Sequence, residues 1–264
     1  MEILVCVKQV PETKDVEVDE NGNLIRDGVD SIMNPHDMYA LETALRLKAE
    51  HGGTVSAITM GPPQAKEVIR EAYMMGADRG FILSDMKFAG ADVLATSYTL
   101  SQGLEVIGLK NGYDLIICGM ESTDGDTAQV GPAIAETLKI PHVAYVSSIK
   151  ESDGEKITVE KDMGETIEIV EFSYPGLITV TKHVNQPRLP SYKLKLKTSD
   201  REIETLSFDD LLDDDENNFG LKGSPTQVEK VFPPDDNTEK VMWNGSGEEL
   251  SDKIFNELKE LKVI

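Results

Sequence analysis

The stretch with the most chemical potential is GMESTDGDTAQVGP, residues 119–132. Its small and polar side chains leave backbone N–H groups free, and from Gln129 a helix begins whose amino-terminal dipole suits a phosphate. The chemistry that follows is the binding of a nucleotide-like anion. Loops of this length in compact domains are usually functional; the bland alternative is an ordinary flexible βα loop. The glycines spell neither GxGxxG nor a P-loop, and no Gly-Lys-Ser/Thr occurs, so neither the standard dinucleotide fingerprint nor an NTPase is supported. Asp124 and Asp126 form a carboxylate pair of the kind used in acid–base work, although acids in loops are mostly solvated. Asn34-Pro35-His36-Asp37 reads on pattern alone as a helix cap. Cys6 and Cys118 lie inside apolar runs and read as small core hydrophobes. With four scattered histidines they make neither a disulfide framework nor a metal site. No spacing marks a Ser-His-Asp or Cys-His pairing, so any reaction must be carried by a cofactor.

The elements that position this loop alternate in type. Residues 2–7 (EILVCV) form a short apolar run rich in β-branched residues, and the pattern returns at 54–60, 80–83 and 113–118. These predict buried strands of a parallel sheet. Helical patterns lie between them: 35–51, with Asn34 as N-cap, Pro35 at the first position and Gly52 past the end; 63–75, ending at Gly76; roughly 91–110; and 129–139, stopped by Pro141. The alternation predicts an α/β fold, a doubly wound, mostly parallel sheet of Rossmann-like type. With strand order 3-2-1-4-5, the crevice is lined by the loop after the first strand (Lys8 to Thr13), by Met60-Gly61-Pro62-Pro63, and by 119–132.

After Pro141 the pattern changes. Residues 143–149, 156–160, 166–172 and 177–182 predict a small antiparallel β-meander with turns such as Asp153-Gly154. From Thr198 an acidic, irregular arm follows, with apolar anchors at Phe208, Leu211, Leu212, Phe219, Val231, Phe232, Val241 and Trp243. It ends in an amphipathic helix, 247–262, whose Leu250, Ile254, Leu258 and Leu261 share a face. The predicted domains are therefore 1–195 and an extended arm, 196–264, that wraps a partner subunit.

The chain has 264 residues, with 26 Lys+Arg against 48 Asp+Glu, a net charge of −22. That charge opposes the electrostatic route to nucleic acid. No run approaches the roughly 18 apolar residues of a membrane span, and the amino terminus reads as a strand and not a signal peptide. A cytoplasmic protein is expected.

Several segments, in order, resemble the β subunit of electron-transferring flavoproteins: LVCVKQVPET, SIMNPHDMYALETALRLK, MGPPQAKEVIREAYMMGADRG, ICGMESTDGDTAQVGPAIAETLKIP and GLITVTKHVNQPRLPS. The resemblance covers about residues 1–195. It implies a heterodimer with a larger α subunit, whose exchangeable FAD rides on a mobile domain, and a nucleotide buried in the β subunit itself. Carried over residue by residue, the nucleotide contacts fall on Cys6, Val7 and Lys8; on Asn34, Pro35, His36 and Asp37; on Met60; and on Ser122, Thr123, Asp124, Gly125, Asp126, Thr127, Ala128, Gln129, Val130, Gly131, Pro132 and Ala133. The segment Val184-Asn185-Gln186-Pro187-Arg188-Leu189-Pro190 corresponds to the loop that docks on the dehydrogenase; alternatively it is a rigid connector out of the last strand.

The family divides by what fills the β-subunit site, AMP in the ordinary respiratory type and a second FAD in the electron-bifurcating type. AMP-type members carry Asn and Thr around the glutamine where this chain has Ala128 and Val130. The phrases QVPET, IRDGV with IMNPHDMYALE, FAGADVLATSYTL and TDGDTAQVGP also resemble the bifurcating group. The resemblance therefore implies FAD, with NADH as hydride donor, ferredoxin or flavodoxin as one acceptor, and an acyl-CoA dehydrogenase or similar flavoenzyme as the other. AMP is the alternative. A nucleotide-binding regulator without a redox role would lack the long arm and the NQPRLP segment. An ATP-pyrophosphatase would need a Ser-Gly-Gly loop where Lys8-Gln9-Val10-Pro11 stands.

Overall fold

Ile3 and Val5 face one way along the first strand, Leu4 and Cys6 the other, and both faces are covered. In the computed structural model, which describes residues 1–12, 31–229 and 241–264, this strand is β1 (Glu2–Cys6). A two-strand antiparallel ribbon follows, β2 (Gln9–Pro11) with β3 (Ser31–Met33). Then come α1 (Pro35–His51), β4 (Thr54–Met60), a 3₁₀ turn (Pro63–Ala65) running into α2 (Lys66–Met75), β5 (Arg79–Leu83), α3 (Val93–Asn111), β6 (Leu115–Gly119) and α4 (Val130–Leu138). The remaining elements are β7 (His142–Ser152), β8 (Lys156–Asp162), β9 (Ile167–Ser173), β10 (Gly176–Val180), α5 (Tyr192–Lys197), β11 (Glu204–Leu206) and α6 (Gly247–Glu260). Thr13, the IRDGV stretch, Val231 and Phe232 lie outside the described residues.

Nine strands form one sheet in the order β11-β5-β4-β1-β6-β10-β7-β8-β9. All pairings are parallel except β7–β8 and β8–β9. On one face α1 and α2 bury Leu41, Ala44, Val68, Ile69 and Tyr73 against Val5, Val55, Ile117 and Ile178. On the other, α3 and α4 bury Leu104, Ile107 and Ile134 against Leu4, Ile58, Ile116 and Leu177. The expected fold class is found, with helices on both faces and an antiparallel extension.

Two expectations are corrected. The first four strands have the order 3-2-1-4, but residues 177–182 do not close the meander. They belong to β10, which inserts parallel between β6 and β7. The run GLITV is buried at every position, the mark of a strand covered on both faces; turn residues alone do not distinguish it from a hairpin strand.

The second correction concerns the boundary at 195/196. The chain divides into two compact units, Met1–Glu229 and Lys230–Ile264. β11 extends the sheet beside β5, and Phe219, 1% exposed, packs edge-on against Phe208 at 5.2 Å and Tyr98 at 5.4 Å. Phe208 and Phe219 are anchors, as expected, but they fasten this stretch to the chain's own sheet and not to a partner subunit, a distinction that composition does not make. In the second unit α6 opens with a Ser246–Glu249 capping box, and Ile254, Phe255 and Leu261 are exposed. Among the described residues no helix is long and apolar enough to cross a membrane, and no cluster of three metal-binding side chains occurs.

Candidate nucleotide-binding site

β4 and β5 are added to one side of β1, and β6 and β10 to the other. The crossover direction thus reverses at β1 and β6, and a ligand of an open α/β sheet sits beyond the carboxyl ends of such strands. The ends meeting there are Cys6, Met60 and Gly119.

Asn34 stands at the N-cap of α1, yet its side chain makes no cap bond. Instead Nδ2 donates to Asp37 Oδ1 at 2.9 Å and to the Glu121 carbonyl at 2.8 Å, and Oδ1 accepts from the Thr123 N–H at 3.3 Å. The Asn34 N–H bonds to the Lys8 carbonyl at 2.9 Å. One buried asparagine therefore ties the loop after β1, the start of α1 and the loop after β6. Asp37 completes the knot: its Oδ2 accepts from the Lys8 N–H at 2.7 Å, and the Gly119 N–H also bonds to it. Burial pushes the Asp37 carboxyl up to about 7, against the opposing pull of Asn34, Lys8 and Gly119.

The Lys8 ammonium is held by both carboxylate oxygens of Asp124, at 2.7 and 2.8 Å. Burial would raise the Asp124 carboxyl, but the bond and charge of Lys8, with the bonds from Ser122 and the Asp124 backbone, together outweigh it and hold it below the usual range. Asp124 is thus neutralised by a neighbouring cation, which removes much of its repulsion toward a phosphate. The chain turns at 123–125, where the Gly125 and Asp126 N–H groups bond to the Ser122 carbonyl. Asp126 and Ala128 adopt left-handed backbone, with φ of 46° and 54°. Gln129 supplies no side-chain cap to α4, whose first N–H groups have no intrahelical acceptor. Thr127 and Gln129 are exposed, Ala128, Val130, Pro132 and Ala133 half-buried, and Gly131 lies against Thr179.

These residues fit a polar, anionic ligand. His36 Nδ1 and Thr59 Oγ1 are buried polar atoms without partners, in the first turn of α1 and beside Met60. His36 Nε2 is 3.9 Å from Glu121 Oε1. Cys6 faces Cys118 across the β1–β6 register, and the bond from Cys6 together with burial pushes the Cys118 thiol up. Val7 points its side chain into the core, so only its backbone borders the crevice. The Val184 to Leu189 segment is not part of this knot. It lies along α1, with Val184 packed on the core and Leu189 84% exposed. Two shallow depressions of ≈ 300 and ≈ 230 Å³, lined by residues such as Lys150, Asp153, Asp114 and Tyr174, lie at the opposite, amino ends of the strands and carry none of this chemistry.

Sequence reasoning missed the roles of Gly119 and Glu121. A Cβ on Gly119 would fall 2.4 Å from Asp37 Oδ1 and 2.7 Å from the His36 carbonyl carbon. The one available signal was a glycine closing an apolar strand.

A doubly wound sheet whose switch point joins a long loop, a helix without a side-chain cap and a glycine-cleared strand end is the α/β class that receives its ligands beyond the strand ends, here without a P-loop. The sequence model described as "Electron transfer flavoprotein domain" matches residues 21–211, and the chain belongs to the electron transfer flavoprotein family. It is 44% identical over 268 residues to the electron transfer flavoprotein subunit beta of Thermoanaerobacterium thermosaccharolyticum, and 42% identical over 272 residues to the protein of the same name in Megasphaera elsdenii. It is also 42% identical over 267 residues to the caffeyl-CoA reductase-Etf complex subunit CarD of Acetobacterium woodii. Each alignment covers 100% of both chains.

Proposed function

We propose that this chain is the β subunit of a heterodimeric electron-transferring flavoprotein of the bifurcating type, with FAD at the switch point. NADH is its hydride donor, ferredoxin or flavodoxin one acceptor, and an acyl-CoA dehydrogenase or similar flavoenzyme, reached through the α subunit's FAD, the other. The observation that carries the reading is the 119–133 loop: it ends on a helix, α4, that Gln129 leaves without a side-chain cap, while Ala128 and Val130 add no polar side chain there. The similarity to a subunit of a caffeyl-CoA reductase complex supports a partner acting on CoA esters. When bound, the flavin supplies the two-electron and one-electron redox chemistry that no side chain here provides.

The protein's own work is binding and orientation. The amides from Thr127 to Gly131, with the α4 dipole, would offset phosphate charge. Lys8 pairs with Asp124 and so removes much of that carboxylate's repulsion toward a phosphate, and Asn34 and Asp37 hold the loops in register. Cys6 and Met60 wall the crevice. Two free cysteines suit a reducing, cytoplasmic setting.

Released-cofactor analysis of the heterodimer tests the assignment. Two FAD and no AMP support it; one FAD with one AMP refutes it. Ala128→Asn with Val130→Thr should shift the content from FAD toward AMP. Asn tolerates a φ of 54° better than Ala does, and Thr is nearly the shape of Val, so the double variant should fold as the wild type does.

The α partner is assigned to the second unit, Lys230–Ile264, which exposes Ile254 and Phe255 on α6 and Leu261 just past its end. Truncation from Lys230 should abolish co-purification with the α subunit while leaving the melting of Met1–Glu229 unchanged. Truncation from Thr198 should unfold the chain, since it removes β11, Phe208 and Phe219. A heterodimer surviving the shorter truncation would overturn the assignment. The 184–190 segment is proposed to dock the redox enzyme through Leu189; Val184, packed on the core, contributes shape alone.

A further inference from the structure

Glu42 is an acid on the inward face of α1, 4% exposed, among the buried Leu41, Thr43 and Leu45. Burying a carboxylate in this way is costly unless its lone pairs are filled. Here they are. Oε1 accepts from Arg46 Nε at 2.9 Å and Arg188 Nη2 at 3.1 Å, and Oε2 accepts from Arg188 Nε at 2.6 Å and the Arg188 backbone N–H at 3.2 Å. Burial alone would raise this carboxyl, but the bonds from Arg188 and Arg46 hold it below the usual carboxylate range. The strap continues on both sides. Arg46 Nη2 donates to the Gln186 carbonyl at 3.2 Å, and Asn185 Nδ2 donates to the Tyr39 carbonyl at 3.0 Å and to Thr43 Oγ1 at 2.7 Å. Four consecutive residues, 185–188, are thus fastened to two turns of one helix or bracket its bonds, and Pro187 and Pro190 restrict the backbone further. Leu189 is the next residue along and projects into solvent. The helix that holds this segment begins at Asn34–Asp37, inside the nucleotide knot.

We propose that Glu42 is a positioning residue that presets segment 184–190 on α1, so that Leu189 meets a redox enzyme without a loop having to be ordered on encounter. The proposal rests on the reading of 184–190 as the docking segment. Pre-ordering matters because each side chain and loop immobilised during association subtracts from affinity. A bidentate Arg–carboxylate fork fixes orientation as well as distance, which a single hydrogen bond does not. Because α1 also carries Asp37 and has as its N-cap Asn34, which bonds the 119–132 loop, the docking loop and the nucleotide loop are both fastened to one rigid element.

The test is Glu42→Gln in the full chain co-purified with its α subunit. Amide hydrogen exchange at 185–189 should accelerate about tenfold or more, the response to losing a charge-assisted clamp, while cofactor content and melting temperature stay at wild-type values. Arg188→Lys, which keeps the charge and loses the fork, should give a smaller acceleration. With an acyl-CoA dehydrogenase as the redox probe, Glu42→Gln should raise KM for the heterodimer with kcat unchanged. Unchanged exchange at 185–189 overturns the proposal. So does an acceleration spread across the whole first unit with a fall in melting temperature, which marks Glu42 as merely structural. Leu189→Ser separates the two readings: it should raise KM without changing exchange. If its KM stays at the wild-type value, the docking reading fails, and the exchange result for Glu42→Gln still decides whether Glu42 presets the segment.

Discussion

Gly119→Ala is expected to destabilise the fold by about 3 kcal/mol or more and to abolish nucleotide retention, the upper range for overpacking a closed site. The added methyl would stand 2.4 Å from Asp37 Oδ1, 2.7 Å from the His36 carbonyl carbon and 2.9 Å from the Asp37 nitrogen. Two of these atoms are backbone at the start of α1, so no side chain can swing aside to make room. Relief requires α1 to move away from β6, and that breaks the Asn34–Glu121 and Asn34–Thr123 bonds spanning the same gap. Gly125→Ala is the matched control, because its methyl would meet only Ser122 Oγ, at 3.3 Å. Urea unfolding and released-nucleotide analysis of the two variants make the comparison. An unfolding midpoint for Gly119→Ala equal to that of Gly125→Ala would show that the β6–α1 contact is looser than the structure has it.

The second large effect is a pH dependence centred on Asp37. Its carboxyl lies at about 7 in the folded chain against an ordinary 3.8, so the folded state holds a proton that the unfolded state releases. Below about pH 4 both states are protonated and the contribution to stability is complete. As pH rises from about 4 to 7 only the unfolded chain ionises, and stability falls by up to about 4 kcal/mol, roughly three units at 1.36 kcal/mol each. Above about 7 the loss levels off. Asp37→Asn cannot ionise and should show a flatter profile between about pH 4 and 7. Other buried acids such as Glu71, whose carboxyl burial also raises, are common to both proteins and cancel in the difference. Parallel pH profiles for the two would mean that the donors from Lys8, Asn34 and Gly119 keep Asp37 ionised after all.

The first four parallel strands and four helices were legible because strands covered on both faces read as unbroken apolar runs, and glycine and proline mark where each element stops. Gly52, Gly76 and Pro141 lie where the patterns place them. β10 was misplaced because strand pairing is a long-range choice, and its neighbours in the sheet are not its neighbours in the chain. Asn34 was readable as a cap by position, but its actual bonds reach residues 121 and 123, which no local window contains. Glu42 and Arg188 are 146 positions apart, and from sequence Glu42 is only an acid in an otherwise apolar helix face. In the 119–132 loop the small polar composition was visible, whereas the ion pair that neutralises Asp124 depends on Lys8 at the far end of the domain sequence.

The late arrival of β10 also bears on how the chain is made. β6 pairs with a strand that begins only at Gly176, after α4 and the whole β7–β9 excursion. During synthesis β1, β4, β5 and β6 can assemble from mostly nearby segments, but β6 then waits as an unpaired, apolar edge, the kind of surface on which nascent chains stick to one another. Sheet closure through such a distant parallel pairing is slow relative to helix formation. Chaperone demand and aggregation of recombinant chains should therefore concentrate in the interval between emergence of β6 and emergence of β10, and fragments ending before Gly176 should be the least soluble products of the gene.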